Sequence, residues 1–352
     1  MKESIRISDR LIGPEHPPFI VAEMSGNHNQ SLGRALEIVD AAAKSGVHAL
    51  KLQTYTADTI TLDVEEGEFL IKDPDSLWKG QSLYKLYKKA YTPWEWHEPI
   101  FKRCRELGLI AFSTPFDETA VEFLEDLHVP AYKISSFENN HLLLIRKAAS
   151  TGKPLIISTG MARISEIEEA VETAREAGCD QIILLKCTST YPANPVDTNL
   201  MTIPHLRDLF DVEVGLSDHT LGIGVSLAAV ALRATVIEKH FMLARAEGGI
   251  DSVFSLEPDE MGALVDESLR AWQALGEVFY GATAKEKSSM IFRRSLYISR
   301  DMKGEEVFNP ENLRAIRPGK GISPKYYDVV MGKKINCNAK KGTPLTWDMV
   351  RG

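Results

Sequence analysis

Two short stretches decide the reading of this chain: Gly215-Leu216-Ser217-Asp218-His219-Thr220 and Glu238-Lys239-His240-Phe241. Each closes an apolar run, residues 212–216 before the first and 234–237 before the second. An extended strand points successive side chains to opposite faces, so Ser217 and His219 share one face and Asp218 takes the other. By the same count Glu238 and His240 share a face, with Lys239 opposite. A single histidine at a strand end is ordinarily a hydrogen-bonded structural group. Two of them closing successive strands, among clustered polar residues, suit a pair of ligands for a divalent metal.

The pattern recurs toward the N-terminus. Residues 19–22 form an apolar run that ends in Glu23-Met24-Ser25-Gly26-Asn27-His28-Asn29. Residues 31–45 then read as a helix, with Leu32, Ala35, Leu36, Ile38, Val39 and Ala42 on one stripe and Gly46 at the end. Further strands are predicted over 49–55 (with Lys51 and Gln53 on one face), 109–112, 131–134 (holding Lys133), 154–157 and 181–185. Their polar endings run through Thr114, Ser136 and Glu138, Ser158, and Ser189 and Tyr191. Helices are expected between them, as over 118–127, 166–177 and 225–231. About eight strand-then-helix units before residue 280 predict an α/β fold, a (β/α)8 TIM barrel. A doubly wound open sheet is the competing architecture, and no glycine fingerprint follows the first strand to support it. Residues 4–12 alternate weakly before Gly13-Pro14, as a short hairpin plugging one end of the barrel would.

Two regions depart from the repeat. Residues 56–92 are a long insertion carrying Trp78 and Leu83-Tyr84-Lys85-Leu86-Tyr87, followed by Tyr91-Thr92-Pro93-Trp94-Glu95-Trp96-His97. Most of these aromatics are expected to pack the excursion onto the barrel wall, with part of it reaching the mouth. The repeat breaks around residues 282–290. Short β-like pieces separated by Gly and Pro follow, giving a predicted division into a barrel with its hairpin (1–281), a linker (282–291) and a small β-rich domain (292–352).

At 352 residues the chain buries a sizeable core, and its 44% hydrophobic and 26% charged residues are those of an ordinary soluble protein. A net charge of −8 argues against nucleic acid as a partner and requires any anionic substrate to find a local pocket of Lys and Arg. Cys104, Cys179, Cys187 and Cys337 form no CxxC, which favours a reduced protein. With no leading apolar segment and no run of membrane-spanning length, the expectation is a cytoplasmic protein with no membrane partner.

Together the strand ends offer Glu23, Asn27, Lys51, Gln53, Thr114, Lys133, Ser136, Glu138, Ser158, Ser189, Tyr191, Ser217, His219, Glu238 and His240. Lysines and hydroxyls in this pattern suit a phosphate and a carboxylate. Lys51 and Lys133 stand inside otherwise apolar strands, where an unpaired ammonium is too expensive to be incidental. Two neutral imidazoles suit a metal with positions left open for water and substrate. The residues alone therefore predict a metal-assisted barrel enzyme for a small, anionic, phosphate-bearing substrate.

The motifs Ala22-Glu23…Asn27-His28-Asn29, Lys51-x-Gln53, Ser113-Thr114-Pro115-Phe116, Tyr132-Lys133-Ile134, Ser158-Thr159-Gly160-Met161, Gly215 to Thr220 and Glu238 to Phe241 resemble the sialic acid synthase family over essentially the whole chain. Residues 292–352 are similar to the antifreeze-like (SAF) domain that ends those synthases. The resemblance implies condensation of phosphoenolpyruvate with an open-chain amino sugar and release of phosphate, with a divalent metal (Mn2+ or Mg2+, possibly Co2+) as cofactor. It implies His219 and His240 as metal ligands, and Lys51, Gln53, Thr114, Lys133, Ser136, Ser158, Ser189, Tyr191, Ser217 and Asn27 as substrate-binding. Glu23, Asp251 and Glu138 become candidates to bind sugar hydroxyls or position water. It also implies a domain-swapped homodimer in which Arg317 of the small domain reaches the sugar's acyl group.

Within the family, residues 25–32, 91–97 and 249–256 resemble the pseudaminic acid branch, whose sugar is 2,4-diacetamido-2,4,6-trideoxy-L-altrose. The sialate and legionaminate branches usually carry His after the aspartate that matches Asp251, and this chain has Ser252. An N-acetylneuraminate or legionaminate synthase is the alternative, and a metal-dependent barrel aldolase a more distant one.

Overall fold

The structure, a computed structural model, describes residues 4–74 and 76–352. The chain divides into two compact units, Met1–Gly276 and Glu277–Gly352. In the first, eight parallel strands close into a barrel in chain order: β3 (Phe19–Glu23), β4 (Ala49–Thr54), β5 (Ile110–Pro115), β6 (Tyr132–Ile134), β7 (Leu155–Ser158), β8 (Ile182–Cys187), β9 (Glu213–Asp218) and β10 (Val236–His240), with β10 returning to β3. This is the predicted (β/α)8 barrel. The strands are shifted relative to the apolar runs. β5, β8, β9 and β10 reach two or three residues further, because polar side chains on their inner faces bond one another and let the backbone ladder continue.

Helices cover the outside. Leu32–Lys44 buries Ala35, Ile38, Val39 and Ala42, and its first turn is capped by the Ser31 hydroxyl, which accepts from the Arg34 N–H at 3.3 Å. Ile164–Glu176 starts two residues before its predicted position, since Glu166 folds back to accept the Arg163 N–H at 2.7 Å. The outward faces of the strands and the inward stripes of the helices form one continuous apolar layer.

A second apolar cluster fills the N-terminal half of the barrel interior. Phe19, Val21, Ala49, Phe112, Ala131, Ile156, Ile183, Leu185 and Val236 point inward. Ile5, Ile7 and Ile12 of the predicted hairpin, β1 (Ile5–Ile7) with β2 (Arg10–Ile12), join them from below. That end is closed. The polar residues therefore gather at the C-terminal ends of the strands, where barrel enzymes keep their chemistry.

The second unit pairs β11 (Ser295–Ile298) with β12 (Leu313–Ile316) and β13 (Lys334–Ile335) with β14 (Val350–Arg351). Leu296, Ile298, Phe308, Leu313, Val330, Ile335 and Leu345 form its own core. No helix among the described residues is long and apolar enough to cross a membrane.

Candidate active site

The inward alternation of β3, β4, β6 and β10 brings four charges together in the barrel interior. Lys51 forms an ion pair with Glu23, lies 3.7 Å from Glu238 Oε1 and donates to Thr114 Oγ1 at 3.2 Å. Lys133 donates to Ser158 Oγ at 2.7 Å and to the Ile134 carbonyl at 3.0 Å, and lies 4.0 Å from Glu238. Ser217 donates to Glu238 Oε1 at 3.3 Å. All four charged groups are buried. Burial pulls the Lys51 ammonium down, but Glu23 and Glu238 outweigh it and the net shift is upward. For Lys133 burial prevails, and its pKa is lowered. Glu238 moves down, because Lys133 and Lys51 together overcome the upward push of burial. Two ammoniums here are balanced by two carboxylates, and together with the adjoining hydroxyls they offer hydrogen-bond donors suited to a small anion.

A row of hydroxyls lies beside the lysines. The Gly160 N–H donates to Ser136 Oγ at 3.1 Å. A Cβ at Gly160 would fall on the Ser189 hydroxyl and 2.6 Å from that of Ser136, so only glycine fits. Asn139, which sequence reasoning missed, donates its side-chain amide to the carbonyls of Ser158 (3.4 Å) and Gly160 (3.2 Å) and braces this turn.

One residue pair above Glu238 stand the imidazoles. The His219 and His240 rings are 5.3 Å apart. His219 Nδ1 lies 3.0 Å from the Thr188 carbonyl, so the proton belongs on that nitrogen and Nε2 keeps its lone pair. His240 Nδ1 is 3.5 Å from the Asp251 carboxylate and makes no hydrogen bond. Burial pushes the Asp251 carboxyl up, but His240 and the Ser25 hydroxyl draw it below its usual value. Tyr191 lies over His219 at 4.5 Å between ring centroids, and Phe254 flanks His240 at 4.9 Å. Cys187 Sγ is 3.9 Å from His219 Nδ1. Burial pushes its thiol up, but His219 brings it down to about 7.

Other predicted residues take different places. Asn27 spends its amide N–H groups on the Phe241 carbonyl (3.0 Å) and Ser255 Oγ (2.9 Å), which ties the loop bearing Asp251 to the barrel. Glu138 accepts from Ser135, and burial pushes its carboxyl up. Gln53 is half-buried, in register with Thr114. Arg317 is exposed and lies in the second unit, where it lines a cavity of about 800 Å3 with Arg294, Arg314 and Tyr327. Ser25 was missed: held at φ +46°, it donates its N–H to Glu23 Oε1 at 3.1 Å.

Asp218 and Lys239 face the opposite way, as the alternation requires. Lys239 Nζ lies 3.0 Å from Asp218 Oδ2 and donates to the Thr220 carbonyl at 2.6 Å. Asp218 also accepts from Thr220 Oγ1 at 2.7 Å and Ser226 Oγ at 2.6 Å.

Buried lysines, paired carboxylates and hydroxyls at the open end of a (β/α)8 barrel place the chain among barrel enzymes that handle small anions. More narrowly, it belongs to the NeuB family, whose model matches residues 38–280, and a SAF domain model matches residues 293–351. The pseudaminic acid synthase of Campylobacter jejuni is 44% identical over 327 residues, which cover 93% of this chain and 95% of that one. The pseudaminic acid synthase of Helicobacter pylori is 41% identical over 333 residues, 94% of this chain and 97% of that one. The crystal structure of an N-acetylneuraminic acid synthetase from Leptospira borgpetersenii superposes with a TM-score of 0.72 at 32% identity, covering 82% of this chain and 95% of that one.

Proposed function

We propose that this enzyme is a pseudaminic acid synthase, condensing phosphoenolpyruvate and water with 2,4-diacetamido-2,4,6-trideoxy-L-altrose to give pseudaminate and phosphate. The observation that carries the reading is identity of 41–44% to pseudaminic acid synthases along nearly the full length of both chains. The buried lysine pair supports it, since phosphoenolpyruvate presents a phosphate and a carboxylate on a three-carbon frame.

Lys51 and Lys133, with the hydroxyls of Thr114, Ser136, Ser158, Ser189 and Ser217, hold those two anionic groups. Carbon 3 of the enolpyruvate is then presented to the aldehyde carbon of the sugar lying above it, near the imidazoles. Bond formation leaves an electron-poor carbon 2, to which water adds before the C–O bond to phosphate breaks. Glu23 and Asp251, with Glu138 as a further candidate, accept the proton of that water or hold the sugar's hydroxyls.

The imidazole pair fits a divalent metal. His219 is fixed in the tautomer that leaves Nε2 free, and His240 carries a nitrogen without a hydrogen bond. Among the described residues no set of three His, Cys, Asp or Glu side chains converges as a cage, and a metal held by His219 and His240 would leave positions for substrate and water. Mn2+, Mg2+ or Co2+ would supply a Lewis acid at the aldehyde oxygen. The assembly we propose is a homodimer in which the small domain of each subunit brings Arg317 to the sugar bound by the other.

The test is phosphate release from phosphoenolpyruvate with a panel of amino sugars, with and without chelator. Release with the altrose derivative, lost on chelation, supports the reading. Faster release with N-acetylmannosamine or the legionaminate precursor assigns the enzyme to a sister branch. Carbon–carbon bond formation without phosphate release would make it an aldolase.

A further inference from the structure

The long insertion forms one wall of a cleft of about 510 Å3, and the loop around Asp251 forms the other. Leu77, Leu86, Ile250 and Val253 supply apolar surface; Trp78 and Gln81 supply something more specific. The indole N–H of Trp78 and the side-chain carbonyl of Gln81 are both inaccessible to solvent, and neither has a hydrogen-bond partner among the described residues. A buried donor and a buried acceptor left unpaired in one cleft are costly, unless a ligand satisfies both. The cleft adjoins the reaction centre on two sides. The Trp78 ring lies 6.0 Å from that of Tyr191, which covers His219, and Ile250 and Val253 flank Asp251 in sequence.

We propose that this cleft is the subsite for the acetamido group on carbon 4 of the sugar. A secondary amide offers one acceptor oxygen, one donor N–H and a methyl group. In the occupied cleft the two half-buried side chains turn their shielded polar atoms toward the sugar: Trp78 Nε1 donates to the amide oxygen, Gln81 Oε1 accepts from the amide N–H, and the methyl lies on Leu77, Leu86 and Val253. A hydroxyl at the same carbon satisfies neither orphan fully and leaves the apolar wall uncovered. The cleft thus separates diacetamido sugars from those with one acetamido group, a discrimination that buried, unpaired polar groups enforce strongly. This assignment rests on the function proposed above and deepens it.

Trp78→Phe removes only the N–H, and Gln81→Met removes the amide at similar length. In each variant the KM for the diacetamido sugar should rise about tenfold, with the KM for phosphoenolpyruvate unchanged. The preference for that sugar over its 4-hydroxy analogue should fall by the same factor. Gln81→Glu, which retains an acceptor oxygen, should recover part of the loss. Unchanged sugar KM and preference in both first variants would overturn the subsite. Phosphate release by the wild-type enzyme separates the two readings, since its absence with the diacetamido sugar sinks the function. In that event calorimetry with the same sugar decides the cleft: binding weakened by both substitutions supports it, and no binding, or binding indifferent to them, overturns it.

Discussion

Lys239 and Asp218 form a buried ion pair, 3.0 Å apart, on the outer face of the two strands whose inner face carries His219, Glu238 and His240. Lys239→Met should strip the buried carboxylate of its counter-charge and cost about 3–5 kcal/mol in urea unfolding. Adding Asp218→Asn should restore about 1 kcal/mol or more, because the orphaned charge is then gone. A single variant as stable as the parent would show that the pair contributes nothing.

On the inner face the expected damage is chemical. His219→Ala and His240→Ala should each abolish turnover while leaving the unfolding midpoint close to the parent's, since both line the open end of the barrel. Activity near the wild-type level in either variant without added metal would rule out a two-histidine metal site.

The lysines should answer to the anionic substrate. Lys51→Met and Lys133→Met are each expected to weaken phosphoenolpyruvate binding by about 1.5–3 kcal/mol, the range for a hydrogen bond to a charged group. That corresponds to a rise of roughly ten- to over a hundredfold in its dissociation constant. Titration calorimetry with phosphoenolpyruvate alone reads this directly, and equal affinity in all three proteins would make the lysines structural.

Buried histidines outside the site, His28, His48 and His97, should govern acid sensitivity, and burial holds His48 lowest, at about 3. Burial pushes His28 and His97 down from 6.5 to about 4. Between those values the unfolded chain binds protons that the folded one refuses. Stability present above pH 6.5 is therefore lost as the pH falls toward 4, by an amount on the order of 3 kcal/mol per histidine. His97→Gln, which keeps a partner for Thr54 Oγ1 (now 2.8 Å from His97 Nε2), should flatten the fall in melting temperature between pH 6.5 and 4.5. An identical slope in the variant would acquit His97.

The small domain should serve the sugar. A chain ending near Ser288 is expected to fold but lose turnover, and Arg317→Ala to lower it by about ten- to a hundredfold, the equivalent of one charge-assisted hydrogen bond. If the arginine crosses between subunits, mixing Arg317→Ala with His240→Ala protein should restore some activity, because one site of the mixed dimer escapes both lesions. Subunit exchange confirmed by native mass spectrometry without recovered activity would count against the crossing.

The barrel was legible because its signal is periodic: short apolar runs, buried on both faces, alternate with helical stretches, and the polar endings recur at each turn of the repeat. Strand ends were legible less well. Residues such as Thr114, Cys187 and Asp218 read as loop by composition, yet pairing with Gln53, Ser217 and Lys239 of the neighbouring strands keeps them in the sheet. Asn139 and Ser25 escaped notice for a related reason, since a neutral polar side chain acquires meaning only from the carbonyl or carboxylate the fold sets beside it. The same holds for the cleft, because no local pattern reveals which of many polar atoms, Trp78 Nε1 and Gln81 Oε1 here, will be left without a partner.

Ile5, Ile7 and Ile12 stopper the lower end of the barrel, so traffic runs through a single doorway. Lys51 and Lys133 meet Glu238, a layer beneath His240, whereas the Trp78 cleft opens at the rim. A vessel of that shape works as a stack. Whatever lodges against the lysines has to be loaded before the molecule that caps it, and steady-state kinetics should be compulsory-order, with the deep substrate leading.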